Sequence, residues 1–146
     1  MSPIPSLSCW MSIPCKTSTT GRKVVAYIVA DRDSGKAVII DAVIENVERD
    51  LKTIKELGLT LTFAIETHIH ADHITGASMI KDRTGARIVY GGGVEGLVTG
   101  VDIFLRDGQE LRFGNTTMKA LATPGHTDSC TSYVLPGAVF CRRFHY

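Results

Sequence analysis

The amino-acid sequence predicts a layered α/β architecture with a mixed sheet, and three features carry that expectation. Apolar, β-branched strands alternate with helical segments in the first half, and short strands separated by turn dipeptides fill the second. Of the 146 residues, 44% are hydrophobic, with Gly and Pro at ordinary frequencies. A chain of this size and composition buries one core, so a single globular domain is expected. Helices that alternate with the early strands, followed by a run of hairpins, suit a mixed sheet and not a strictly parallel doubly wound one.

The elements follow in order. Residues 1–20 are rich in Ser, Thr and Pro, carry Lys16 as their one charge, and lack the basic start and unbroken apolar run of a secretory signal. A disordered tail over residues 1–22 is expected. No acidic residue precedes Asp31, which leaves a transit-peptide reading open, while the scarcity of Arg argues against it. Residues 23–30 (KVVAYIVA) and 37–40 (AVII) flank the turn at 31–35 and read as a hairpin of two buried strands. Val47, Leu51, Ile54 and Leu57 recur at helical spacing with Gly58 as the closing residue, which predicts an amphipathic helix over 46–57. Residues 59–67 (LTLTFAIET) return to strand character, and 77–84 form a second helix closed by Gly85. Strands then follow at 87–90, 101–105, 110–113, 116–122, 132–135 and 138–140, with turns at Asp107-Gly108, Gly114-Asn115 and Pro136-Gly137.

Composition excludes several function classes. Sixteen Lys and Arg against fifteen Asp and Glu give a formal net charge of +1, without a basic run able to neutralise several phosphates, so nucleic acid is not an expected partner. No apolar stretch approaches the roughly 20 residues a bilayer span needs. Cys9, Cys15, Cys130 and Cys141 have neither the density of a disulfide scaffold nor zinc-ribbon spacing, and read as free thiols of a reducing, cytoplasmic compartment.

The chemistry is concentrated directly after the strand at 59–67. His68, His70, Asp72 and His73 bring three imidazoles and a carboxylate together within six residues. Side chains two apart in an extended segment point to one side, so His68 and His70 can converge, while Asp72 and His73 lie where the next helix opens. A surface loop explains one isolated His well. It explains this set poorly, because clustered imidazoles and a carboxylate need a cation or hydrogen-bond partners to offset their desolvation. Imidazole suits zinc, iron, copper and nickel, and a nearby carboxylate can bind a second ion or orient a ligand. His126, held by the Pro124-Gly125 turn after the strand at 116–122, supplies a fourth imidazole.

HIHADH at 68–73 followed by PGHT at 124–127 resembles the metallo-β-lactamase superfamily, and THIHADHITG with TPGHTDSCTSYVL resembles its persulfide dioxygenase branch. The likeness runs over about 24–140 and includes Asp41, the VERDLKTIKELGL helix and the DGQELRFGNTTMKALATPGHT segment. It implies a metallo-β-lactamase-type αββα sandwich, of which this chain supplies the N-terminal half only, with the metal at one edge between the sheets. It also implies a single Fe(II) held by His68, His126 and a later Asp, with His70, Asp72 and His73 standing behind the ligands. A two-His, one-carboxylate shell leaves coordination positions open for oxygen transfer to the sulfur of a small-molecule thiol or persulfide, such as glutathione persulfide. The alternative is a glyoxalase II-like thioester hydrolase. There His68, His70 and His126 bind one Zn(II), Asp72 and His73 help bind another, and the metals bring the pKa of bound water down to about 7. That family's usual motif has a further His between the first two and an aromatic before the Asp. Ile69 and Ala71 at these positions favour the dioxygenase.

The resemblance also marks departures. Where the family continues after Phe140 with a small residue and Gly-Asp, this chain reads Cys-Arg-Arg-Phe-His-Tyr. The expected organisation is therefore a tail at 1–22, a partial domain at 23–140 and an aberrant end at 141–146, without the third metal ligand. His145 has no element to hold it and is not expected to replace that ligand. The codons TGC CGG CGA TTT CAT TAT can encode residues 141–146. Read one base later they give Ala-Gly-Asp-Phe-Ile, so a one-base shift is one expected origin, and a genuine truncation or a fragmentary gene prediction the others. Whether the chain is an enzyme or a non-catalytic metal-binding remnant stays open at this level.

Overall fold

A computed structural model describes residues 10–19, 22–68, 76–96, 98–122 and 130–140. Six strands form the first sheet: β1 (Trp10–Thr19), β2 (Arg22–Asp31), β3 (Lys36–Ile40), β4 (Thr60–Ile65), β5 (Arg87–Gly91) and β6 (Ile103–Leu105), hydrogen-bonded in that order. β1, β2 and β3 pair antiparallel, whereas β3 through β6 pair parallel. The β3–β4 and β4–β5 crossovers carry the helices α1 (Val47–Glu56) and α2 (Ala77–Thr84), and the β5–β6 crossover runs through a 3-10 turn. The second sheet is antiparallel, with β7 (Glu110–Phe113), β8 (Thr116–Ala122), β9 (Thr131–Leu135) and β10 (Ala138–Phe140) in the order β10-β9-β8-β7. This is the mixed α/β sandwich expected, with both helices where the periodicity puts them.

The tail is the main correction. Residues 10–19 are not disordered but form β1, paired with β2 along its whole length. Ser, Thr and Pro enrichment reads as disorder. Yet Met11, Ile13 and Cys15 turn toward the helices while Ser12 and Pro14 are exposed, a period of two that marks a half-buried strand. Pro14 is tolerated because β1 is an edge strand. Short 3-10 turns at Ile44–Asn46 and Gly92–Val94 also carried no sequence signal strong enough to predict them.

Alternation divides the apolar side chains into two cores. Ile28, Ala30, Ile39, Ala64, Ile88 and Tyr90 face Val47, Ile54, Ala77 and Ile80 of the helices. Val29, Val38, Ile40, Ile65 and Val89 face Leu111, Phe113, Met118, Ala120 and Tyr133 of the second sheet. Each fully buried Val, Ile or Phe side chain contributes about 1.5–3 kcal/mol relative to exposure. The pattern skips once, at Thr62, where the pairing moves from Ala37↔Leu61 to Val38↔Phe63. The Thr62 hydroxyl donates to the Ala37 carbonyl at 2.8 Å and so partners the backbone at the bulge. Trp10 and Tyr27 meet Phe140 edge-on, with ring centroids 6.2 and 5.1 Å away, and close the sandwich between β1, β2 and β10.

Asp31 ties the two sheets together. Its side chain is fully buried at the end of β2, and it accepts hydrogen bonds from Ser34 N (3.0 Å), Ser34 Oγ (2.6 Å), Asn115 N (3.1 Å) and Thr116 Oγ1 (2.6 Å). The β2–β3 turn is thereby fixed to the β7–β8 turn. Burial pushes the carboxyl pKa up, but the four hydrogen bonds outweigh burial and hold it down at about 2. No helix among the described residues is long and apolar enough to cross a membrane.

Candidate metal centre

The strand β4 delivers the chain to the C-terminal edge of the parallel strands, where ligands of α/β sheets gather. The two residues that follow β4, Glu66 and Thr67, are held from three sides. Glu66 N donates to Val89 O at 2.9 Å, the Glu66 carbonyl accepts from Tyr133 Oη at 2.8 Å, and the Thr67 carbonyl accepts from Thr131 N at 2.8 Å. Tyr133 is fully buried and reaches across from the second sheet, so both sheets fix the segment that leads into His68.

Behind His68 stands a relay of polar groups. Asp41, at the end of β3, adopts a left-handed backbone with φ of 57°, rare for a side-chain-bearing residue though Asp tolerates it better than most. Its Oδ1 accepts from Thr67 N at 2.8 Å and its Oδ2 from Thr67 Oγ1 at 2.6 Å. Thr67 Oγ1 is also 2.8 Å from His68 Nδ1. A hydroxyl has one proton, and a carboxylate can only accept, so that proton goes to Asp41. The hydroxyl oxygen must therefore accept from Nδ1–H of His68, which fixes the tautomer and leaves the Nε2 lone pair to act as a ligand.

Negative charge is concentrated beneath this point. Asp41 and Glu66 are both buried. Burial, reinforced by the charges of these two carboxylates, raises the Tyr90 hydroxyl to about 12 and raises Tyr133 well above its ordinary value. Such surroundings favour a cation.

Of the residues singled out in the sequence, His68 is described and half-buried, whereas His70, Asp72, His73 and His126 lie outside the described residues. Among the described residues no three potential metal ligands gather. The segments that flank the two motifs do meet. Thr131, at the start of β9 five positions after His126, is bonded to Thr67, next to His68. Gly91, at the end of β5, allows this approach, since a Cβ there would run into the Thr131 side chain. A cavity of about 290 Å³ opens beside this junction, lined by Gly92, Gly93, Arg106, Cys130 and Thr131 among others. Sequence reasoning did not assign roles to Thr67 and Tyr133. A hydroxyl residue directly before the first His and an Asp closing an earlier strand were the available signals.

The metallo-β-lactamase superfamily profile matches residues 19–141. The chain belongs to the metallo-β-lactamase superfamily. Within it, the chain is similar to the human mitochondrial persulfide dioxygenase ETHE1, at 41% identity over 114 residues, which cover 75% of this chain and 42% of that protein. It is also similar to a hydroxyacylglutathione hydrolase of Brucella anthropi, at 40% identity over 85 residues, 58% of this chain and 33% of that protein. Among solved structures, ETHE1 from Myxococcus xanthus superposes with a TM-score of 0.78 at 38% identity, covering 87% of this chain and 55% of that one. The chain thus spans less than half the length of the curated relatives it matches. The superfamily and the mixed α/β sandwich are as the motifs implied, and the similarity to persulfide dioxygenases agrees with the branch that the motifs resemble.

Proposed function

We propose that this chain carries the metal-binding end of an iron-dependent persulfide dioxygenase, with His68 and His126 as ligands to Fe(II). The observation that carries the proposal is the Asp41–Thr67–His68 relay, which presents an imidazole lone pair at the strand end where the sequence clusters its other imidazoles. The donor set fits the group: neutral imidazole suits iron and zinc alike, and the buried carboxylates Asp41 and Glu66 favour positive charge. When bound, Fe(II) supplies open coordination positions and the redox capacity for oxygen transfer to sulfur. The protein's own contribution is positional. Asp41 and Thr67 hold the His68 ring, while Tyr133 and Thr131 hold the strand end that bears it. His70, Asp72 and His73 are assigned to the space beside the ligands, where they orient them or serve a second ion. The cavity next to Thr131 is the proposed seat of a small thiol or persulfide substrate. A reducing, cytoplasmic location belongs to the same proposal and rests on the scattered cysteine spacing of the sequence.

The similarity to a hydroxyacylglutathione hydrolase keeps one second reading, zinc-dependent thioester hydrolysis. Bound iron and O2 uptake on adding glutathione persulfide, measured on the same preparation, separate the two. His68→Ala and His126→Ala are each expected to lose iron and O2 uptake together. Stoichiometric iron in either variant would refute the ligand assignment, and thioester hydrolysis with zinc and no O2 uptake would select the hydrolase.

A further inference from the structure

A second cleft, of about 440 Å³, lies at the opposite end of the sandwich from His68. Lys36 opens β3 and Arg87 opens β5, so both stand at the N-terminal ends of parallel strands whose C-terminal ends form the candidate metal centre. Leu61 near the start of β4 is seven positions before His68, about 20 Å along an extended chain. The two sites are therefore separate.

The cleft has an unusual charge balance. Lys36, Arg87 and Arg112 line it from three different strands, and no acidic residue lines it among the described residues. None of the three forms a salt bridge among the described residues, and all three are exposed. Asp102, whose charge Arg87 feels, is itself held by Lys81 at 2.7 Å. Arg112 is steadied by donating from Nε to the Gly114 carbonyl at 3.0 Å, on the turn that Asp31 fixes to the rest of the fold. Beyond the cations the lining is mostly apolar, with half-buried Phe63 and buried Leu61 and Phe113 around Thr62.

Three cations line this one cleft and no acidic residue shares its lining among the described residues, although Asp102 lies near Arg87 and the buried Asp31 carboxylate lies behind Gly114. A lining of this kind suits a multiply charged anion. Two of the three cations are guanidinium groups, whose planar forks match phosphate oxygens in pairs. The volume lies within the range of small-molecule sites, and an aromatic wall accepts a flat or apolar body. We propose that this cleft binds a phosphorylated small molecule, with Arg87, Arg112 and Lys36 on the phosphate and Phe63 against the remainder.

Titration calorimetry of the full chain with pyrophosphate and with ADP tests this. Saturable binding of both is expected, with Arg87→Gln and Arg112→Gln each weakening it about tenfold. Lys36→Gln is expected to weaken it less, because an ammonium acts as a point charge. All three residues are exposed, and if one variant fails to fold the other two carry the test. ADP binding tighter than pyrophosphate, with Phe63→Leu removing only that difference, supports a nucleotide as the source. Equal affinities support phosphate itself. His68→Ala is expected to bind both ligands unchanged, and a loss there would put the anion at the metal centre and overturn the proposal. So would the absence of saturation at millimolar ligand, variants that bind like the parent chain, or citrate binding as tightly as pyrophosphate.

Discussion

Replacing Thr67 by Val tests whether the hydrogen-bond relay sets the metal affinity of His68. The substitution keeps the β-branched shape and removes one hydroxyl, and with it the 2.6 Å bond to Asp41 Oδ2 and the 2.8 Å bond from His68 Nδ1. The backbone bond from Thr67 N to Asp41 Oδ1 stays, so the strand end keeps its path. A hydrogen bond to a charged group contributes about 1.5–3 kcal/mol and a neutral one about 1 kcal/mol, while the added methyl offsets about 1 kcal/mol through burial. The net loss of stability is then ~2 kcal/mol. Metal affinity should fall about 10–100-fold, because the ring loses both the partner that fixes its tautomer and the one that fixes its orientation. Competition against a chelator of known affinity, for Fe(II) and for Zn(II), reads this directly. Thr67→Ser, which restores the hydroxyl, should recover most of the affinity. If Thr67→Val bound both metals as tightly as the parent chain, the relay would be structural only and the tautomer argument would fail.

Other perturbations address the fold around the site. Asp31→Ala leaves four donors without their acceptor, of which the Thr116 hydroxyl is buried while Ser34 and Asn115 are exposed, and denaturant unfolding should show a loss of about 2–3 kcal/mol. The Asp31 carboxyl is held below its ordinary value of 3.8, at about 2, so its stabilisation is present above pH ~4 and is lost as pH falls through 2. That contribution is about 2 kcal/mol, and Asp31→Asn should flatten the acid limb of the stability profile. Asp50, buried on α1 beside Cys15 of β1 and Arg49, has its pKa raised, chiefly by desolvation. The folded state therefore binds its proton more tightly than the unfolded state does, and the stability it contributes in acid is lost as pH rises through the folded pKa. Asp50→Asn should raise the melting temperature at neutral pH and leave it nearly unchanged in acid; a lower melting temperature at both would show that the carboxylate is needed. Gly91→Ala should destabilise by about 2–4 kcal/mol because its Cβ meets Thr131, and adding Thr131→Ser should not restore it, since the hydroxyl oxygen is the atom struck.

The sequence by itself determined the order of elements from β2 onward, both helices and the mixed sheet, and it supplied the histidines on which the proposed metal centre rests. Each of these is written locally: periods of two and 3.6 in the apolar residues, turn dipeptides, and a density of imidazoles that few other chemistries explain. β1 escaped because its strand character lies in an alternation of ordinary apolar residues with Ser and Pro, and pairing with β2 decides its structure. The tertiary structure alone decided which groups stand behind the first histidine. Asp41 lies 26 positions before Thr67, and Tyr133 lies 67 after Glu66. No local pattern records such separations. They arise when two sheets, each burying its apolar face against the other, bring the ends of β3, β4 and β9 to one point, where every buried donor and acceptor has to find a partner.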